Sequence, residues 1–541
     1  MNMRAVLLFL TLIRCIPGYA AAADDRPLRE IIDAEVSAAW EREKVTPTAA
    51  ASDAEFLRRV QLDLVGAIPT YQETADFLAD SATDKRTRLI DRLLDDPRYG
   101  QHQADLWDMI LFGRSPPGYD TDKRDGIQRW LREQFAQNRP YDEWVRELLR
   151  AEGNSVEQGP PMYFVQYKGQ PEDASEAISQ TFLGVQLQCA RCHDHPFEPW
   201  TQLDFYGMAA FVARLDVVTV GKKDNLNQYA IGEKPSGDVL FTGPAKDQQP
   251  GKKGEPVKPK FLLGDALEEP PLPEGFKPVK FENNKLPPAP EFSRKDRLAE
   301  WIARAENPFF AKAIANRVWA QFMGRGIVHP VDNMSVSNTP SHPELLSALT
   351  QQLVERKFDL KWYIRELVSS RTYQLSSSGG DGDPRPLWFE HARTRPLSAE
   401  ELIEAWRLAT GFADADKEQV KGKPDRFRPI TSGYMLRFFG QPNNGVGDFQ
   451  GGLSEHLYLN NGQLGSLIVS SPGSLIDAVA SSDAPWDERI DRLFLQTLNR
   501  PPQPEERSKL VELLATEKDP RERLRDVVWA LITCSEFRFN H

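Results

Sequence analysis

The strongest constraint on this chain is a block of prolines near its middle. Eleven of the 41 prolines lie between residues 241 and 290, in runs such as GKKGEP, EEPPLPEG and LPPAP. Proline lacks the backbone N–H, and its ring clashes with the carbonyl one turn back, so no helix continues through that spacing. On both sides the apolar residues recur with helical period. The expected architecture is therefore mainly α: two helical domains joined by a Pro-rich linker with short β elements. The boundaries read as a helical domain over 27–215, a Pro-rich linker or small β insertion over 216–295, and a second helical domain over 296–541. Extended pieces are expected at 217–220 and 260–263.

The periodicity names individual faces. In residues 84–94, Leu89, Ile90, Leu93 and Leu94 fall on one side of a helix. Pro140 and the acidic pair after it start another helix, striped by Trp144, Val145, Leu148 and Leu149. Trp107, Trp130 and Trp144 read as core. Further on, Ser341 is a candidate N-cap with Glu344 three residues later, the pattern of a capping box. The same period runs through residues 362–368. It returns in Ile490, Leu493, Phe494 and Leu498, then in Leu510, Leu513 and Leu514, and finally in Leu524, Val527, Val528 and Leu531. Residues 433–465 are rich in Gly and Asn and read as a long loop. Arg317 and Arg325, within NRVWAQFMGRG, read as arginines pairing inside the fold rather than as a binding pair.

The net charge of the 541 residues is -12. A protein that tracks phosphates carries the opposite sign, so no nucleic-acid partner is expected. The one long apolar run lies in the first twenty residues. A positive start at Met1–Arg4, an apolar stretch over 5–13 and small residues over 18–23 read as an export signal, residues 1–23. Cys15 follows Arg14, whose size and charge do not suit a lipid-attachment site. The expected location is secreted or periplasmic, with no transmembrane anchor after signal cleavage.

Cysteine placement singles out one segment. Of four cysteines, two sit in Gln188-Cys189-Ala190-Arg191-Cys192-His193-Asp194-His195. Cys-x-x-Cys-His is the covalent attachment pattern of c-type haem. Cys189 and Cys192 would bind the porphyrin edge as thioethers, and His193 would be the proximal ligand of the haem iron. Chance produces this pentapeptide on the order of once in several hundred chains of this length. Two other readings stand beside it. Cys189, Cys192, His193 and His195 make a nitrogen–sulfur set for zinc, though four ligands within seven residues are cramped. A plain disulfide with no cofactor is the third. His195 is an alternative ligand, or a group acting in the second shell with Asp194. His102, Met109, Met162 and Met208 are available as distal ligands, and none has a telling spacing. No phosphate loop, H-E-x-x-H or G-x-S-x-G occurs, and no carboxylate pair is marked for acid–base work, so no reaction is assigned.

Longer stretches carry a family resemblance. FLRRVQLDLVGAIPT (56–70), DPRYG (96–100) and FLGVQLQCARCHDHPFEPWTQLDFYGMAAF (182–211) resemble the planctomycete cytochrome-like domain of unknown function. Glu306-Asn307-Pro308, NRVWAQFMGRGIVHPVDNM (316–334), SHPELL (341–346), RTYQ (371–374) and RPLSAEEL (395–402) resemble the planctomycete-specific domain that usually follows it. The resemblance implies a secreted, mostly helical tandem of uncharacterised activity. On it, Cys189, Cys192 and His193 match the haem-type positions. One departure is visible: after Phe439-Gly440-Gln441-Pro442 the sequence runs NNGVGDFQGGLSEHLYLNN, without the cysteine-rich segment that relatives carry. The expected function is an exported c-type-haem-like protein that moves single electrons to or from a redox partner protein. The alternative is a secreted helical binding or scaffold protein whose CxxCHDH segment is a structural disulfide or metal site.

Overall fold

The computed structural model describes residues 26–113, 125–223, 226–241, 254–272, 274–276, 285–286, 289–379, 386–411, 468 and 473–541. The expected signal, the loop at 433–465 and the Phe439–Pro442 departure lie outside them.

The first half is built on α1 (Leu28–Glu43), α2 (Asp53–Val65), α3 (Tyr71–Ala79), α4 (Lys85–Leu94), α5 (Pro97–Phe112), α6 (Asp125–Ala136) and α7 (Tyr141–Arg150). Their ends follow local chemistry. The Ser52 side chain accepts from Glu55 N to start α2, and Gly66 stops it in the left-handed region. Thr70 and Glu73 close a capping box on α3. As expected, α4 buries Leu89, Ile90, Leu93 and Leu94, and α7 buries Trp144, Val145, Leu148 and Leu149. Trp144 meets Trp107 edge-on at 5.0 Å and Trp130 at 6.0 Å, the geometry that ring quadrupoles favour.

Shorter pieces follow: β1 (Gly153–Asn154), α8 (Ser155–Gln158), α9 (Met162–Val165), α10 (Pro171–Ile178) and α11 (Gln202–Val212). Then β2 (Leu215–Lys223) and β3 (Leu226–Glu233) form an antiparallel hairpin, with β1 on the other edge of β3. The extended piece at 217–220 lies in β2. The one at 260–263 is not a strand: Lys260 makes an isolated bridge to Ala266. That segment is held by packing instead. Lys260 N donates to Gly207 O, and the Phe261 ring stacks on Trp301 at 5.2 Å. Two short strands, β4 (Leu240–Phe241) and β5 (Glu255–Pro256), pair beside it.

The second half contains α12 (Arg294–Ile302), α13 (Phe310–Met323), α14 (Pro343–Glu355), α15 (Leu360–Ser369), β6 (Arg395–Pro396), α16 (Ala399–Thr410), α17 (Leu475–Ala480), α18 (Trp486–Thr497), α19 (Pro504–Leu514), α20 (Arg521–Thr533), α21 (Ser535–Arg538) and β7 (Phe539–Asn540). Two local expectations are corrected. Ser341 does not cap α14: Pro343 opens that helix, His342 holds the N-cap position, and Ser341 Oγ bonds to His342 Nδ1 instead. In α19 only Leu514 is buried, and Leu513 is exposed. Arg317 is buried and donates to Thr181 O across the halves.

Helices of both halves share one interior. Phe56, Trp144 and Phe182 belong to the same apolar cluster as Phe310, Trp319, Leu349 and Tyr363, and Tyr141 stacks on Phe310 at 4.9 Å. A second cluster gathers Leu397, Trp406, Phe494, Val528 and Phe537 around Leu62 and Ile68. Among the described residues no helix is long and apolar enough to cross a membrane.

Candidate functional site

The CxxCH segment follows α10 through one π-helical turn, Ser179–Leu183, which Gly184 ends at φ 67. A Cβ on Gly184 would lie 2.7 Å from Met334 Cγ, so the chain turns where the second half leaves no room for a side chain. Beyond it, Leu187 and Ala190 are fully buried and anchor a 3-10 turn, Gln188–Arg191. With those two positions facing inward, Cys189, Cys192 and His193 face outward, and all three are exposed. Both thiols are free.

Hydrogen bonds then fix the loop. Cys192 N and His193 N both donate to Cys189 O. Arg191 O accepts from Tyr206 OH and from Gln202 Nε2, and the Arg191 guanidinium pairs with Asp173 at 2.7 Å. Asp194 Oδ1 accepts from Gln202 N. His195 N donates to Trp200 O at 2.8 Å. Trp200 is buried against Phe309 of the second half. The loop hands over to α11 at a Thr201–Asp204 capping box. Burial works to raise the Asp204 carboxyl, but the Lys260 ammonium and the Thr201 donors outweigh it and hold the group below the usual carboxylate range.

The two histidines differ in what their rings can do. His193 Nδ1 lies 2.8 Å from Asp194 O. A carbonyl only accepts, so Nδ1 carries the proton and the Nε2 lone pair is left for a ligand. At His195 the reverse holds. Its Nδ1 accepts from Phe197 N and Glu198 N, so the proton sits on Nε2 and neither nitrogen offers a lone pair outward. The donor set thus fits a thioether-linked haem at Cys189, Cys192 and His193, with His195 shaping the loop. It does not gather four zinc ligands: among the described residues no three His, Cys, Asp or Glu side chains cluster to hold a metal ion. The four distal candidates are placed in α5, α9 and α11. His102, Met162 and Met208 are buried core side chains, and Met109 is half-buried.

Two family models match the chain. PSCyt2, "Protein of unknown function (DUF1549)", covers residues 31–217, and PSD1, "Protein of unknown function (DUF1553)", covers residues 294–434. The chain is a PSCyt2–PSD1 tandem. No curated protein and no solved structure matches it.

Some of the site was not visible as sequence. The PSD1 half reaches the loop of the PSCyt2 half: Glu198 Oε2 accepts from Val336 N at 3.1 Å. Phe197, one residue earlier, stands 81 % exposed, and Val336 is 80 % exposed. No spacing rule links positions 138 residues apart. The only signal in the sequence was that Glu198 sits inside a stretch carrying the family resemblance, 182–211, and that Val336 lies between two others, 316–334 and 341–346.

Proposed function

We propose that the PSCyt2 half carries a covalently attached haem c on Cys189 and Cys192, with His193 as axial ligand, and that the exported protein moves single electrons to or from a redox partner. A haem held there would supply a one-electron centre. The observation that carries this reading is the His193 ring. Asp194 O holds its Nδ1–H, and its Nε2 is free beside two exposed, unpaired thiols. A second ring nitrogen bound to a carbonyl is the usual companion of a ligating imidazole, because it fixes the ring and raises its basicity. Leu187 and Ala190 are buried beneath the turn, and both thiols are exposed. The name PSCyt2 agrees with this reading.

A second reading is a secreted helical binding protein, with the same turn as a staple. The exposed Phe197 at the loop tip favours it, since an apolar ring held in solvent suits a partner surface. Denaturing mass spectrometry of a peptide spanning 185–200, from protein made in an export-competent host, separates the two. A thioether-linked haem adds roughly 600 Da and survives denaturation. A peptide two hydrogens light, or one of unmodified mass, rejects the haem reading.

A further inference from the structure

A cavity of about 680 Å³ opens where α2, residues 377–378 and the end of the chain meet, within the range of small-ligand sites. It is remote in sequence from the CxxCH turn and uses none of its residues.

Arg58 of α2 lines this cavity and is 1 % exposed. Its guanidinium donates to Asn499 Oδ1 and Phe537 O, both at 2.7 Å, and its Nε has no partner. Both acceptors are neutral, and among the described residues no carboxylate pairs with it. Burial pushes the group down to about 10, which leaves it charged at neutral pH. Glu536 and Glu401 offset part of that burial through space, but a buried cation with no direct ion pair is still costly. The carboxylates in the same wall are already taken. Glu536 is held by Arg500 at 2.5 and 2.8 Å. Glu55 is held by Arg59 at 2.6 Å and by Ser376 and Ser377. Of the two arginines in this wall, Arg500 makes direct ion pairs and Arg58 makes none among the described residues.

The rest of the lining is polar in a particular way. Ser378, Thr394 and Ser535 line the cavity, Thr394 half-buried and the two serines exposed at its mouth, while Leu498 and Phe539 supply apolar wall. We propose that this cavity binds a small hydroxylated organic carboxylate, its anion completing Arg58 and its hydroxyls meeting Ser378, Thr394 and Ser535. Charge-assisted bonding to an enclosed arginine gives the selectivity for an acid over a neutral polyol of the same size.

Isothermal titration of the full chain with sodium gluconate, with sorbitol as the uncharged match, tests this. Gluconate should bind at least about tenfold tighter than sorbitol. Arg58→Gln should erase that difference. Because Arg58→Gln removes buried hydrogen bonds that the fold uses, the wall is also tested by a Thr394→Val/Ser535→Ala double variant. That variant should weaken gluconate by about threefold or more with the far-UV spectrum unchanged. Equal binding of gluconate and sorbitol, gluconate binding untouched by the double variant, or no heat up to about 50 mM gluconate would each overturn the proposal.

Discussion

At the scale of single residues, the two histidines of one short loop carry different chemistry because their backbone neighbours differ. His193 sees a carbonyl and keeps a lone pair for a ligand, whereas His195 sees two N–H groups and spends its lone pair on them. Replacing His193 by Ala should abolish or grossly shift a Soret band. Replacing His195 by Leu should leave that band in place. It should cost about 1 kcal/mol locally, read as faster amide exchange at Phe197 and Glu198. A His195→Leu protein as colourless as His193→Ala would reverse the assignment. The sequence offered both histidines as candidates and ranked them only by position. The proton placement that separates them depends on which backbone atoms the folded loop brings to each ring.

At the scale of elements, Gly184 and Glu401 show how a terminus can be fixed from a distance. Gly184 has φ 67 and sits against Met334. Gly184→Ala should cost about 1–3 kcal/mol, seen as a lower urea midpoint, and should loosen the CxxCH turn that follows. A change within error would mean that Met334 simply moves aside. Glu401 closes the capping box of α16 with Ser398 and also receives both arms of Arg395. Burial works to raise its carboxyl, but Arg395 and the Ser398 N–H outweigh it and bring the group down to about 2, from an ordinary 4.5. The folded value lies below the unfolded one, so the stabilisation is complete above pH 4.5 and is lost as pH falls from there toward 2. It amounts to on the order of 3 kcal/mol. Urea midpoints of the native chain should therefore fall across that window. In Glu401→Gln this part of the slope should be missing. The S-x-x-E pattern stands in RPLSAEEL but was read there only as part of the family resemblance, and the one cap read from that pattern failed at Ser341, where Pro343 opens the helix and His342 takes the cap position. A capping box is written in four residues, whereas the backbone that would enter it is set by what packs around it.

At the scale of the whole molecule, Asp63 ties the first helices to the last strand. It is 2 % exposed and accepts from Tyr373 OH at 2.8 Å, Arg393 at 2.6 Å, Arg395 at 3.1 Å and Asn540 Nδ2 at 2.8 Å. Removing it leaves the buried Arg393 guanidinium without its carboxylate, an expected loss of about 3–5 kcal/mol for Asp63→Ala. Chemical denaturation should record that loss as a single shifted transition. A loss below about 1 kcal/mol would mean that the cluster is bypassed. None of these partners could be paired from the sequence, since they lie from 310 to 477 positions away from Asp63. A buried Asp and a solvated Asp are the same letter until the chain closes around one of them.

Local chemistry was determined by the sequence alone: where helices can run, which faces are apolar, where proline forbids continuation, and that one turn holds two thiols and an imidazole. Those features depend on residues within a few positions of each other, where periodicity and backbone sterics act directly. The tertiary structure decided everything that needs two distant stretches at once. It merged the interiors of the two halves, brought Glu198 to Val336, left Arg58 without a direct ion pair, and set which nitrogen of His193 is free. Contacts of that kind arise only on closure of the fold, when burial makes each unpaired charge or N–H expensive and so selects its partner.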